Sequence, residues 1–274
     1  MRNNDQEYHD LRIATPIGFE EVVTHFYYAA NKSGQHQTKT LLPSFQTILI
    51  FNFGPGALLR SKQNTEIKVN QCMILGPIKN AFDYTLPAGT EILVANFKGD
   101  AFYRFFGNAV LAEQVPVNPD ELIKEHCFAD LWHELKKMNS QQEKVNYILD
   151  FCKPYLKNRS ATSELLTTFD DTVLDPVKTI ARKMNQSERN IQLRHKQYLG
   201  YSAKEINRYY RFLKAVELIR DFAIKQVKPD WFEVIDQCGY YDQSQLIHDF
   251  KFFLNLSPAR FMKFQQDICC PREL

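Results

Sequence analysis

Two short runs of guanidinium, carboxamide and imidazole side chains carry the most informative chemistry in this 274-residue chain. The first is Arg189, Asn190 and Gln192, just after Ser187; the second is Gln243, Gln245 and His248, just after Asp242. Arginine and the carboxamides have the donor and acceptor geometry that reads guanine and adenine edges in a groove. Arg194, Lys196, Lys204 and Lys251 stand near these runs as candidate phosphate contacts, and Ser187 caps a helix start whose backbone N–H groups favour an anion. Catalytic constellations are missing by comparison. Gly54-Pro55-Gly56 lacks a phosphate-cradling helix, no GxSxG or HExxH occurs, and Glu20-Glu21 and Asp170-Asp171 are neighbours whose carboxylates need not converge. The expectation is a non-enzyme with no cofactor and no metal.

Helix punctuation shows what must position these residues. Asp175-Pro176 is an N-cap followed by proline at the first helical position, and Val177, Ile180, Ala181 and Met184 recur at helical spacing. Asn185-Gln186 supplies a turn, and a second helix runs from the Ser187 cap to a stop at Gly200. Ser202 to Glu205 is a capping box that opens a long helix from about Ala203 to Phe222, with apolar residues recurring through Ile219. The pattern then repeats: Asp230 to Glu233 caps a helix that Gly239 stops, Asp242 caps another ending near Asn255, and Ser257-Pro258 starts a last one. A helix, a tight turn and a second helix with polar residues at its start is major-groove geometry. The long helix between the units, about 30 Å at 1.5 Å per residue, approaches the ~34 Å between successive major-groove faces.

Charge is distributed to match. Net charge is only +2, but residues 176–214 hold ten Lys/Arg against two acids, whereas residues 1–159 are balanced and residues 229–274 sum to −3. A basic cluster is the electrostatic footprint of phosphate binding; alone it would equally fit a solvated helix face.

The residues from Ile180 onward resemble the AraC/XylS transcription regulators. The likeness rests on Ile180-Ala181, Ser187-Glu188-Arg189 through Gly200, Lys204 with Arg211, Gly239-Tyr240-Tyr241-Asp242-Gln243-Ser244-Gln245-Leu246, and Phe250-Lys251 with Leu256-Ser257-Pro258 and Phe261. It covers roughly 100 residues across both units. Departures are His195 for the usual Phe, Ala203 for Pro, Asn255 for Gly, Ile235 for a small residue, and Leu193 where Arg is common. The last removes one phosphate or base contact. The resemblance implies double-stranded promoter DNA and RNA polymerase as partners, an activator role, and a homodimer.

Upstream, short apolar runs separated by Gly and Pro suggest a small sandwich or barrel. Strands are expected within 19–29, 41–53, 66–69, 72–75, 80–86 and 91–97, after a polar arm to about Arg12 and with a polar loop over 31–40. Leu42-Pro43, Leu49 to Gly54 and Leu75-Gly76-Pro77 resemble the cupin-like sensor domain that precedes some AraC-type regulators, implying a small-molecule effector. His25 and His36 stand on unrelated segments and read as surface or capped histidines, not metal ligands. Phe45, Phe51, Phe53, Phe82 and Tyr84 are expected in the core, with a pocket lining as the alternative. Two helical patterns between Asn118 and Lys157 carry apolar faces that would either dimerise or pack on their own barrel.

The expected architecture is therefore α+β, with a cupin-like sensor and dimerisation domain and helical pair over 1–159 and an all-α double helix-turn-helix domain over 160–274. The six cysteines lack CxxC spacing, and no secretory segment or run of 18 apolar residues is present, so a reduced, cytoplasmic protein without membrane contact is expected. The alternatives are a helical protein-interaction module with little DNA affinity, and a cupin-type enzyme fused to a DNA-binding domain.

Overall fold

The structure, a computed structural model, describes residues 8–60, 66–111, 115–123, 126–167 and 176–269. Of these, residues up to 167 together with 176–202 form one compact unit, and residues from 203 onward form a second. The expected cap at Asp175 and the Asp170-Asp171 pair lie outside the described residues.

The first unit is built on two antiparallel sheets. The strands are β1 (Tyr8–Ala14), β2 (Val23–Asn31), β3 (Gln37–Leu41), β4 (Ile48–Asn52), β5 (Ala57–Arg60), β6 (Glu66–Val69), β7 (Cys72–Leu75), β8 (Phe82–Leu86) and β9 (Glu91–Phe97). One sheet has the order β1-β2-β9-β4-β7 and the other β3-β8-β5-β6. This is the cupin-like sandwich expected, with three strands outside the expected set: β1 in place of most of the arm, β3 in place of the loop, and β5 after the Gly54–Gly56 turn. Strands β1 and β3 lie at sheet edges and are mostly exposed; β3 is polar up to Leu41, and β1 offers only Leu11 and Ile13, a pattern too short to mark a strand.

Turns between strands are held by two fully buried asparagines. Asn52 Nδ2 donates to Val69 O at 2.7 Å and Pro55 O at 3.0 Å, and Asn31 Nδ2 donates to Leu86 O and Gln35 O at 2.8 Å. Gly54 is required where the β4–β5 turn passes the neighbouring chain, since a Cβ there would collide with the Gly89 carbonyl.

Helices cover the outer face of the five-stranded sheet: α1 (Ala101–Phe106), α2 (Pro119–Ile123), α3 (Cys127–Lys137) and α4 (Gln141–Cys152). Phe128, Leu131, Leu135, Val145, Ile148 and Leu149 join Leu49, Phe51 and Leu93 in one core. The apolar faces of α3 and α4 are thus spent on their own sandwich, and the solvent side carries Asp130, His133, Lys137, Glu143 and Asn146. Buried Lys144 fastens α4 through Glu91 Oε1 at 2.7 Å, with its ammonium 4.0 Å from the Phe53 ring centroid.

Three further helices complete this unit, α5 (Ala161–Thr167), α6 (Pro176–Met184) and α7 (Glu188–Leu199). Buried Asp100, at the start of α1, accepts from Arg159 Nη2 at 2.8 Å and from the Ser163 hydroxyl, so one carboxylate ties α5 to the sandwich.

The second unit comprises α8 (Ala203–Ile224), α9 (Trp231–Cys238), α10 (Gln243–Leu254) and α11 (Pro258–Cys269). Its core is aromatic: Phe212 of α8 lies 5.0 Å from Phe250 and 4.5 Å from Phe253 between ring centroids. Asp230 and Asp242 cap α9 and α10, Gly239 and Asn255 end them in the left-handed region, and 22-residue α8 extends about 33 Å at 1.5 Å per residue. No helix among the described residues is long and apolar enough to cross a membrane.

Candidate nucleic-acid interface and a cavity in the sandwich

Helix α7 is defined by local signals. The Ser187 hydroxyl accepts from Asn190 N at 3.3 Å, and Gly200 at φ 80° closes the C-terminus. Before it, α6 turns through Asn185 at φ 51°, which asparagine tolerates. Ile191, His195 and Leu199 are buried, while Arg189, Gln192, Leu193 and Lys196 are exposed. Spacings of three and four residues put those four side chains on one face. A guanidinium and a carboxamide suited to base edges therefore share a surface with an ammonium suited to phosphate. Leu193 interrupts it as an apolar side chain, 61% exposed.

Other expected contacts of this helix are engaged within the protein. Asn190 Nδ2 donates to Gln186 Oε1 at 3.2 Å, which braces the turn. Arg194 donates to Thr162 Oγ1 of α5 at 3.2 Å and is half-buried. His195 is fully buried with Nδ1 2.8 Å from Tyr201 O. The face that carries Arg194 also meets α1: Tyr198 stacks on Tyr103, and Ala109 N donates to Gln197 O at 2.9 Å.

In the second unit Gln243, Ser244 and His248 are exposed at α10, and Lys204 and Lys251 are exposed on α8 and α10. Gln245 serves the cap: its Oε1 accepts from Tyr241 N at 2.9 Å, and its own N–H donates to Asp242 Oδ1 at 2.7 Å. His248 Nδ1 lies 3.1 Å from Arg208 Nη2. Because guanidinium can only donate, Nδ1 accepts and the ring proton sits on Nε2 when the imidazole is neutral. Arg208 Nε and Arg211 Nη2 also hold buried Asp249, at 2.6 and 3.1 Å. These two arginines therefore join α8 to α10.

The sandwich interior contains a cavity of about 490 Å³, a size typical of small-molecule sites. Ile50, Leu59, Val69, Leu86 and Val94 form its apolar wall, while His25, Gln46 and Asn96 line it with polar groups. Phe82 and Tyr84 also line it, whereas Phe51 belongs to the core beneath the helices and Phe53 packs against that core. Phe45 is buried, 5.2 Å from the Tyr201 ring. The aromatic group named from sequence thus divides between wall and core.

Of the two expectations for His25, surface or capped, the half-buried ring with its hydrogen-bond partners fits the second. Burial first, and then the Arg12 guanidinium, push its imidazole below the ordinary value of 6.5. Arg12 Nη2 stands 3.2 Å from Nδ1, so Nδ1 accepts and Nε2 carries the proton. Two residues further along β2, Tyr27 donates to Asp10 Oδ2 at 3.1 Å and meets Tyr84 Oη of β8 at 3.2 Å; burial raises both phenols above their ordinary value and keeps them neutral. Burial likewise pushes the Cys72 and Cys152 thiols up to about 12, far from reactive thiolates. Among the described residues no His, Cys, Asp and Glu side chains gather in a group able to hold a metal ion.

Residues 12–114 match a family model described as a domain of unknown function, DUF6597. No curated protein matches the chain. Among solved structures it is similar to ToxT from Vibrio cholerae, at 14% identity over 88% of this chain and 98% of that one, with a TM-score of 0.41. An unsaturated fatty acid-bound form of ToxT is similar at 12% identity over 96% of this chain and 97% of that one, with a TM-score of 0.38. An RmlC-like cupin protein from Desulfovibrio desulfuricans is similar at 16% identity over 35% of this chain and 88% of that one, with a TM-score of 0.26.

Proposed function

We propose that this chain is a transcription regulator of the AraC type that binds promoter DNA and answers to a small molecule in the sandwich cavity. The observation that carries the reading is the exposed face of α7, where Arg189, Gln192 and Lys196 stand together on a capped helix behind a tight turn. The +8 charge of residues 176–214 supports it, because phosphate neutralisation dominates nucleic-acid affinity. Arg189 and Gln192 read base edges and Lys196 positions phosphate. In the second unit Gln243 and the Nε2–H of His248 read bases, with Lys204 and Lys251 on phosphates; Asn190, Gln245 and Arg194 act through the turn, the cap and the Thr162 contact. Activation through RNA polymerase belongs to the same reading. So does a homodimer, by an interface other than the apolar faces of α3 and α4, which the sandwich covers.

The test is selection of duplexes from a random pool by the purified chain, followed by a salt titration on the winning sequence. The reading expects an enriched motif and an affinity falling on the order of 10³-fold or more between about 50 and 200 mM salt. A pool that stays random, or an affinity indifferent to salt, would overturn it.

A second reading, a helical protein-interaction module, draws on the −3 charge of residues 229–274 and on Phe232 and Tyr241, 83% and 91% exposed. It expects weak, sequence-blind DNA binding in the same titration.

A further inference from the structure

We propose that the sandwich cavity takes an uncharged, mostly apolar molecule that presents a carbonyl acceptor to His25. The proposal rests on the reading of this domain as an effector sensor, and it names the chemistry of the effector. The wall excludes an ionic ligand by what it is made of. Two formal charges border the cavity among the described residues, Asp10 on β1 and Lys39 on β3, and both are exposed side chains on edge strands. They cancel, and the Lys39 ammonium is already 4.7 Å from the Tyr8 ring centroid. Among the described residues no buried cation lines the interior. A carboxylate carried between Ile50, Leu59 and Val94 would exchange its hydration for neutral N–H donors and no buried cation, a poorer exchange than an uncharged carbonyl makes.

The polar groups that do line the interior are neutral. Asp10 and the phenols of Tyr8 and Tyr84 meet at Tyr27 Oη, within 3.1 to 3.2 Å, so that cluster satisfies itself. His25 differs. Arg12 Nη2, 3.2 Å from Nδ1, can only donate, which fixes the tautomer that keeps a hydrogen on Nε2. A neutral imidazole locked as a donor selects an acceptor. Gln46 also lines the cavity, its Oε1 accepting from Thr24 Oγ1 at 3.3 Å. The apolar wall supplies affinity and the His25 side supplies orientation.

Calorimetry on the full chain with 2-undecanone and decanoate separates the possibilities, since the two differ mainly in the charge of the head. The ketone is expected to bind at least about tenfold more tightly; H25L lowers ketone affinity about tenfold and H25Q, which keeps an N–H donor, recovers most of it. L59W fills the cavity and abolishes binding of both probes. Tighter binding of decanoate, or ketone binding indifferent to H25L while L59W still blocks it, overturns the proposed chemistry and leaves the effector cavity standing. Binding of neither probe, or binding unaffected by L59W, overturns the cavity as an effector site and the proposal with it. Melting temperatures of each variant confirm that a lost signal is not lost fold.

Discussion

Tyr103 of α1 and Tyr198 of α7 stack with ring centroids 4.1 Å apart and planes 27° from parallel. With Ala109 N donating to Gln197 O, and Arg194 donating to Thr162, this stack docks one face of α7 on the sandwich and leaves Arg189, Gln192 and Lys196 exposed. A double-mutant cycle with Y103A and Y198A, read by urea unfolding of the full chain, is expected to give a coupling of about 0.5 to 1.5 kcal/mol. Additive effects would mean that the rings touch without stabilising each other.

Gly200 sets the end of α7 in the same place. It sits at φ 80°, and a Cβ would come 2.5 Å from Ala109 O and 2.8 Å from Pro77 Cγ. Gly107 has nearly the same angle, φ 79°, but a Cβ there would meet nothing within 4 Å. G107A should therefore cost only the left-handed strain, about 1 to 2 kcal/mol, while G200A should cost that and a packing penalty of about 1 to 3 kcal/mol more. Equal unfolding midpoints for the two variants would contradict the close approach at Gly200.

What could be read in the sequence was what local chemistry decides. Ser187, Gly200, Asp230, Gly239 and Asp242 each act within four residues, so the helices of both units follow from their caps. Strand β4 shows the limit. Its five residues Ile48–Asn52 are all buried, so no alternation tells which side faces what; Leu49 and Phe51 go under the helices while Ile48 and Ile50 line the cavity. The cavity was unreadable for that reason. His25 was missed because its role depends on Arg12 across a strand pair, and Leu11 and Ile13 alone are too short a pattern to mark β1. A residue-level sign did exist for Asp249, an acid that shares the helical spacing of Leu246, Phe250 and Phe253, the side of α10 where a carboxylate calls for a cation partner.

That acid should be the most sensitive single site of the second unit. Its side chain is 2% exposed and holds both Arg208 and Arg211. D249A removes the partner of two half-buried guanidinium groups and is expected to destabilise by about 3 kcal/mol, whereas R208A leaves Asp249 paired with Arg211 and should cost less. Urea denaturation followed by circular dichroism gives the ordering; R208A as costly as D249A would mean that Arg211 does not share the carboxylate.

His25 gives stability a pH dependence whose sign follows from its neutral state. The unfolded chain takes up this proton near 6.5, and the folded chain only at lower pH because of burial and Arg12. Its contribution is fully present above 6.5 and is lost as pH falls below that value through the folded pKa. Urea midpoints measured from about pH 8 to about pH 5 should therefore fall more steeply for the parent than for H25Q. Parallel curves would show that the imidazole titrates as it does in the unfolded chain.

The exposed face of α7 predicts three different outcomes from three neighbouring substitutions. R189A should relax preference at one base pair by about 1 to 3 kcal/mol, because a guanidinium on a base edge discriminates among bases. K196A should weaken every sequence alike and flatten the dependence of log affinity on log salt by about one, as loss of a single phosphate contact does. Leu193 lies between them on the same face and offers neither function, so L193R should raise affinity and steepen the salt dependence by about one. Duplex selection combined with salt titration reads all three. If R189A left the selected motif unchanged while K196A altered it, the assignment of base reading to Arg189 and phosphate contact to Lys196 would have to be reversed.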